Sequence, residues 1–152
     1  MANNSIDQLE ERLGADWKHI RVARQLAETT RADLRRALAD HDTADASVVV
    51  SGSLARDEFT TGSDIDWTLL IDGAADWNHH DLAAKIRAEI DKVAAKPTGA
   101  EGTFGRMVFS HDLIHQIGGE DDTNRNTTRR VLLLMESKAL GREDAHDRVV
   151  RK

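Results

Sequence analysis

The sequence predicts an α/β chain of the α+β kind, in which a small mixed β-sheet is flanked by helices and preceded by a long N-terminal helix. Three observations lead there. Apolar residues recur every three or four positions through most of the first forty residues, the period of an amphipathic helix. Two short apolar runs, Val48–Val50 and Leu69–Ile71, are each followed within two residues by glycine and fit strands buried on both faces. Further helix-period segments separate and follow these runs, so helices must cover the sheet.

From Ser5 to about Ala39, Ile6, Leu9, Leu13, Trp17, Ile20, Ala23, Leu26, Leu34 and Leu38 form the apolar stripe, and Ser5 followed by Gln8 fits a capping box. Gly14 is the point at which this helix would weaken or divide. His41–Asp45 is a polar connector, and Ala46–Ser51 is the first strand. Leu54–Phe59 fits one or two helical turns, Asp64–Ile71 a second strand, and Asp72-Gly73 its closing turn. Asp76 is placed to cap a helix reaching about Lys96, where Pro97, Gly99 and Gly102 impose a loop. Thr103–Ser110 is expected as a third strand and Asp112–Ile117 as a short helix ended by Gly118-Gly119. A helix through Ser137, capped by Thr123 or Asn126, and a last helix over Glu143–Arg151 complete the chain. The end carries no Gly or Pro stop signal, which leaves open that this is the front part of a longer protein.

With 152 residues the chain has the size of one soluble domain with a core of its own, and it contains no cysteine. That composition excludes a disulfide framework, a thiolate zinc site and a cysteine nucleophile. No apolar run approaches a membrane span and the N-terminus lacks a secretion signal, so a cytoplasmic protein with no membrane partner is expected. The net charge of −6 argues against a general nucleic-acid coat. From Thr123 onward, eight Lys/Arg against four acids give a local +4, a basic segment that is either a solvated helix face or a phosphate contact.

Chemistry concentrates between Val48 and Asp66. A buried strand runs into Ser51-Gly52-Ser53, then a short helix and a polar turn, then Ser63-Asp64-Ile65-Asp66. Alternation along a strand sets Asp64 and Asp66 on one face, roughly 7 Å apart at the backbone. Two carboxylates converging there repel unless a cation lies between them, and an oxygen-only donor set suits Mg²⁺ or Mn²⁺. Gly52 lets the backbone come close to a ligand, and Ser53 offers an N–H and a hydroxyl at a helix start, the end that favours anions.

This arrangement resembles the signature of the DNA polymerase β-like nucleotidyltransferase superfamily. Gly52-Ser53 and Ser63-Asp64-Ile65-Asp66 carry the likeness, and Arg56 and Glu58 match the Gly-Ser-x-x-Arg-x-Glu variant of its small bacterial members. The resemblance implies a minimal nucleotidyltransferase fold. On that reading 1–45 is an N-terminal helical segment, 46–122 the nucleotidyltransferase core and 123–152 a set of C-terminal helices. It implies metal-dependent transfer of a nucleotidyl group from a nucleoside triphosphate, with ATP the expected donor, to an acceptor hydroxyl. Asp64 and Asp66 would hold the metal, and Gly52, Ser53, Arg56 and Ser63 would bind the nucleotide, unless Arg56 with Glu58 forms local ion pairs that hold the short helix. The family adds a third carboxylate on a neighbouring strand; Asp112 is the candidate, with Glu120, Asp121 and Asp122 as rivals. In the polar segment 117–130, Asn124, Arg125 or Arg129 would contact nucleotide or acceptor, the alternative being a plain Gly-Gly turn followed by a capped helix. The acidic composition favours a small-molecule or protein acceptor over nucleic acid, and a partner domain or protein is a further expectation.

The second reading is a non-catalytic nucleotide-sensing or antitoxin-like module acting through a protein partner, which a missing third carboxylate would favour. A calcium loop starting at Asp64 fails, because Leu69 and Ala75 stand where glycine and glutamate are needed. His111 and His115 have the spacing of two zinc ligands but no evident third, and four His-Asp pairs suggest a phosphohydrolase with no use for the strands. No Gly-x-Ser-x-Gly elbow surrounds Ser51, Ser53 or Ser63. Trp17, Trp67 and Trp77 are expected in the core.

Overall fold

The computed structural model describes residues 5–94, 96, 106–120, 122 and 124–152. The loop expected around Pro97, Gly99 and Gly102, the Thr103–Gly105 start of the third strand, Asp121 and Thr123 lie outside these residues.

The N-terminal stripe folds as two helices, α1 (Ser5–Leu13) and α2 (Lys18–Leu38). They part at Gly14, whose φ of +59° no helix interior accommodates. Arg24 pairs with Asp7 and Arg21 with Glu10, which ties α1 back along α2. Only the second half of α2 enters the core, through Ala27, Thr30, Arg31, Leu34 and Leu38.

After a single 3₁₀ turn at Ala39–His41, β1 (Ala46–Val50) begins, buried at every position. There follow α3 (Gly52–Ala55), β2 (Trp67–Ile71), α4 (Asn78–Val93), β3 (Arg106–Phe109), α5 (Ser110–His115), α6 (Arg125–Glu136), β4 (Lys138–Ala139) and α7 (Asp144–Arg151). The strands form one mixed sheet in the order β3-β2-β1-β4. β1 is antiparallel to β2 and to β4, while β2 and β3 run parallel. The chain has an α+β fold consistent with a minimal nucleotidyltransferase domain, a mixed sheet between two helical layers.

The period of two along the strands divides the core. Val48, Val50, Trp67, Leu69 and Ile71 meet α2 and α4 through Leu34, Leu38, Ile86 and Ile90. Val49, Leu70 and Val108 meet Leu113, Leu133 and Val149 of α5, α6 and α7 on the other face. Trp67 is buried beneath Arg87 at 5.8 Å, whereas Trp77 is 90% exposed and not a core residue.

Six of the eight cations of the basic C-terminal segment are engaged within the fold. Arg148 and Lys152 both pair with Asp72, Arg142 with Asp144, Arg151 with Asp147 and Lys138 with Asp57, while Arg130 donates to the Val149 carbonyl. No described helix is long and apolar enough to cross a membrane.

Candidate active site

The site forms where β1 ends and β2 begins. Val50 pairs with Trp67, and one further bond, from the Ser51 N–H to the Asp66 carbonyl at 3.0 Å, extends the antiparallel pairing past both strands. Asp66 is thereby drawn against Gly52. The second strand starts at Trp67 and not at Asp64, so both aspartates belong to the entering loop. Ser63 closes that loop, its N–H donating to the Thr60 carbonyl at 3.0 Å and its hydroxyl accepting the Thr60 N–H at 3.1 Å. In this structure Ser63 shapes the turn that delivers Asp64.

Gly52 has a φ of +64°, and a Cβ built on it would lie 2.6 Å from Asp66 Oδ2. Its missing side chain makes room first for a carboxylate of the protein itself. Ser53 follows, half-buried, in the first turn of α3.

Asp64 and Asp66 are half-buried, and among the described residues no hydrogen bond or ion pair neutralises either. Burial, then the charges of Asp64 and Glu136, raise the Asp66 pKa to about 6, with Arg56 working in the opposite direction. Among the described residues no three His, Asp or Glu side chains gather as a metal cage. Two carboxylates with free oxygens are nonetheless the donor set that Mg²⁺ or Mn²⁺ uses when phosphate oxygens and water supply the remaining positions. Asp64 and Asp66 fit such an ion.

Asp112 does not join them. β3 runs parallel to β2, and Phe109 pairs with Ile71, so α5 begins at the far end of the sheet from Asp66. Trp67 to Ile71 alone spans about 13 Å. There the Ser110 side chain bonds Asp72, and the charges bearing on Asp66 are those of Asp64, Glu136 and Arg56. The expected role of Asp112 in the metal site and in catalysis is corrected accordingly.

Of the rival carboxylates, Glu120 is exposed in the loop after α5. Asp122 is 3% exposed and accepts the N–H groups of Gly118, Asn126 and Thr127 and the Thr127 hydroxyl. Those bonds, led by the Thr127 hydroxyl, hold its pKa down at about 2. The polar segment 117–130 is in this part a carboxylate-centred helix start, in which Asn124 takes the left-handed conformation. The His111 and His115 rings lie 5.0 Å apart, tilted at 44°, with no third ligand among the described residues.

The acid that sequence reasoning missed is Glu136, the last residue of α6. Arg56 reaches it through Nη1 and meets Glu58 Oε2 with Nε and Nη2, both at 2.9 Å. Beside this pair, Asp57, itself at φ +64°, receives Arg31 at 2.6 Å and Lys138 at 3.0 Å. Burial opposes the Asp57 charge, yet its bonds to Lys138 and Arg31 prevail and lower its pKa. Residues 56–58 are thus tied twice to the α6–β4 corner and once to α2. No local pattern marks Glu136, because its partner Arg56 is 80 positions away.

Residues 31–100 match the family model of the nucleotidyltransferase domain. The match runs from the second half of α2 through α4, and it includes Gly52, Asp64 and Asp66 but not Glu136. Over these residues the chain is similar to the nucleotidyltransferase-domain family, a likeness consistent with the polymerase β-like superfamily. Neither the search of curated proteins nor that of solved structures returns a match.

Proposed function

We propose that the chain binds a nucleoside triphosphate through a divalent cation held by Asp64 and Asp66, and transfers its nucleotidyl group to an acceptor hydroxyl. The observation that carries this reading is the pair of unneutralised, half-buried carboxylates beside Gly52, one of them with its pKa raised to about 6. Such a pair is costly to the fold and is accounted for by a cationic ligand. Mg²⁺ or Mn²⁺ would supply charge neutralisation and alignment of the triphosphate.

The chain's own residues do the rest. Asp64 and Asp66 would fix the donor, and Ser53 and Arg56 would meet its phosphates. An acceptor oxygen bonds to the α-phosphorus, the α–β anhydride bond breaks, and pyrophosphate leaves; the acceptor proton passes to a site carboxylate or to water. A small-molecule or protein acceptor suits the acidic surface better than a nucleic acid does. ATP is the donor to test first.

The test is calorimetric titration of the folded chain with ATP, GTP, CTP and UTP, each with and without Mg²⁺ or Mn²⁺. Binding that requires the cation and disappears in Asp64→Asn supports the reading and names the donor. Absence of binding to folded wild type contradicts it.

A further inference from the structure

We propose that Glu58 and Glu136 act on Arg56 in opposite ways. Glu136 holds the guanidinium at the site, whereas Glu58 occupies the edge that a polyphosphate takes over. The inference rests on the proposed function and concerns how the same site admits its anionic ligand.

A guanidinium binds an oxyanion best through the Nε–Nη2 edge, whose two parallel N–H groups match two oxygens. In Arg56 that edge is spent on a single oxygen, Glu58 Oε2, at 2.9 Å from both nitrogens. Glu136 takes only Nη1, at the other end of the group. A phosphate can therefore replace Glu58 without disturbing Glu136.

The two carboxylates also differ in how firmly they are held. The Glu58 side chain is 60% exposed, on a loop whose backbone N–H bonds the Ser53 carbonyl. Glu136 is 19% exposed and fixed on its C-terminal side. There the Ser137 hydroxyl donates to the Leu133 carbonyl at 2.6 Å, Lys138 pairs with Val50 in the sheet, and its ammonium holds Asp57. An exposed ion pair such as Arg56–Glu58 contributes little and exchanges readily, while the more enclosed one persists.

Charge gives the exchange a direction. Glu58 and Glu136 bond Arg56, and Asp66, which feels the charges of both Arg56 and Asp64, stands near it, so a polyphosphate meets four acids and one cation from these residues. Moving Glu58 out toward water removes one repulsive charge and uncovers the matching edge in the same motion.

The experiment is calorimetry of the full chain with inorganic tripolyphosphate and Mn²⁺, a probe that carries no base or sugar. The variants are Glu58→Gln, Glu136→Gln, Arg56→Gln and Arg56→Gln/Glu58→Gln, each checked for an unchanged fold by circular dichroism. Glu58→Gln should tighten binding about two- to fivefold, the scale of one exposed ion pair. Glu136→Gln should weaken it, although it too removes a negative charge, and the gain from Glu58→Gln should vanish in the Arg56→Gln background.

Folded wild type that binds no Mn²⁺–tripolyphosphate overturns the proposed function and this inference with it. Wild-type binding overturns the exchange alone under any of three results: no tightening in Glu58→Gln, tightening in Glu136→Gln, or a Glu58→Gln gain that survives without Arg56.

Discussion

Replacing Asp66 with asparagine should make the ligand-free protein more stable at neutral pH. The Asp66 pKa stands near 6 in the fold against an ordinary value of 3.8, first because of burial and then because of the Asp64 and Glu136 charges. A group whose folded pKa lies above its unfolded one favours the fold below the unfolded value and loses that contribution as pH rises through the folded value. Between about pH 4 and 6 wild type therefore loses stability from this residue. A shift of about two units corresponds to about 3 kcal/mol. Asp66 is only half-buried, and solvent screening brings the expectation to about 1–2 kcal/mol. For a chain of this size that is about 2–8 °C in Tm. Thermal unfolding of wild type and Asp66→Asn at pH 7.5 and pH 4.0 measures it. Asp66→Asn should gain at pH 7.5 and show little difference at pH 4.0. Equal stability at pH 7.5, or the same gain at both pH values, refutes the reasoning.

Gly52→Ala should disrupt the site, since its Cβ would meet Asp66 Oδ2 at 2.6 Å and φ is +64°. Loss of Mn²⁺ binding should accompany a backbone cost of about 1–2 kcal/mol in urea unfolding. Arg31→Met should cost about 2–4 kcal/mol, because it strips Asp57 of a buried partner at 2.6 Å, and the same unfolding experiment reads it. Asp122→Asn should lower Tm at pH 7 and approach wild type toward pH 2. The Asp122 pKa is held down at about 2, so its contribution is present above the ordinary value of 3.8 and lost on acidification through the folded one.

Local chemistry made much of this fold legible. Three consecutive valines gave β1, buried throughout, and Gly14 divides the first helix because only a left-handed residue turns the chain there. The β4 pairing was not legible, since Lys138 and Ala139 acquire strand geometry only by meeting Val50 and Val49. Trp77 has the composition of a core residue but sits beside the start of α4, facing water. That Gly52 and Asp66 come together was legible because the end of β1, the turn and the start of β2 follow one another closely in the chain.

Asp112 and Glu136 could not be sorted in the same way. An acid just after a strand reaches the site only if that strand ends at the site, and the parallel pairing of β2 with β3 sends Asp112 to the other end. Glu136 follows the apolar run Val131–Met135 without any motif, and folding alone brings it to Arg56. Asp122, a rival candidate in its loop, is instead held by the N–H groups of Gly118, Asn126 and Thr127.

The central claim, that Asp64 and Asp66 hold a divalent cation together with a triphosphate, is tested most directly by electron paramagnetic resonance of Mn²⁺. Titrating the chain into Mn²⁺ and into Mn²⁺–ATP should reduce the free-ion signal, strongly for the nucleotide complex. Asp64→Asn/Asp66→Asn should restore it while remaining folded. A folded wild type that leaves the Mn²⁺–ATP signal unchanged, or a double variant that reduces it as wild type does, contradicts the account.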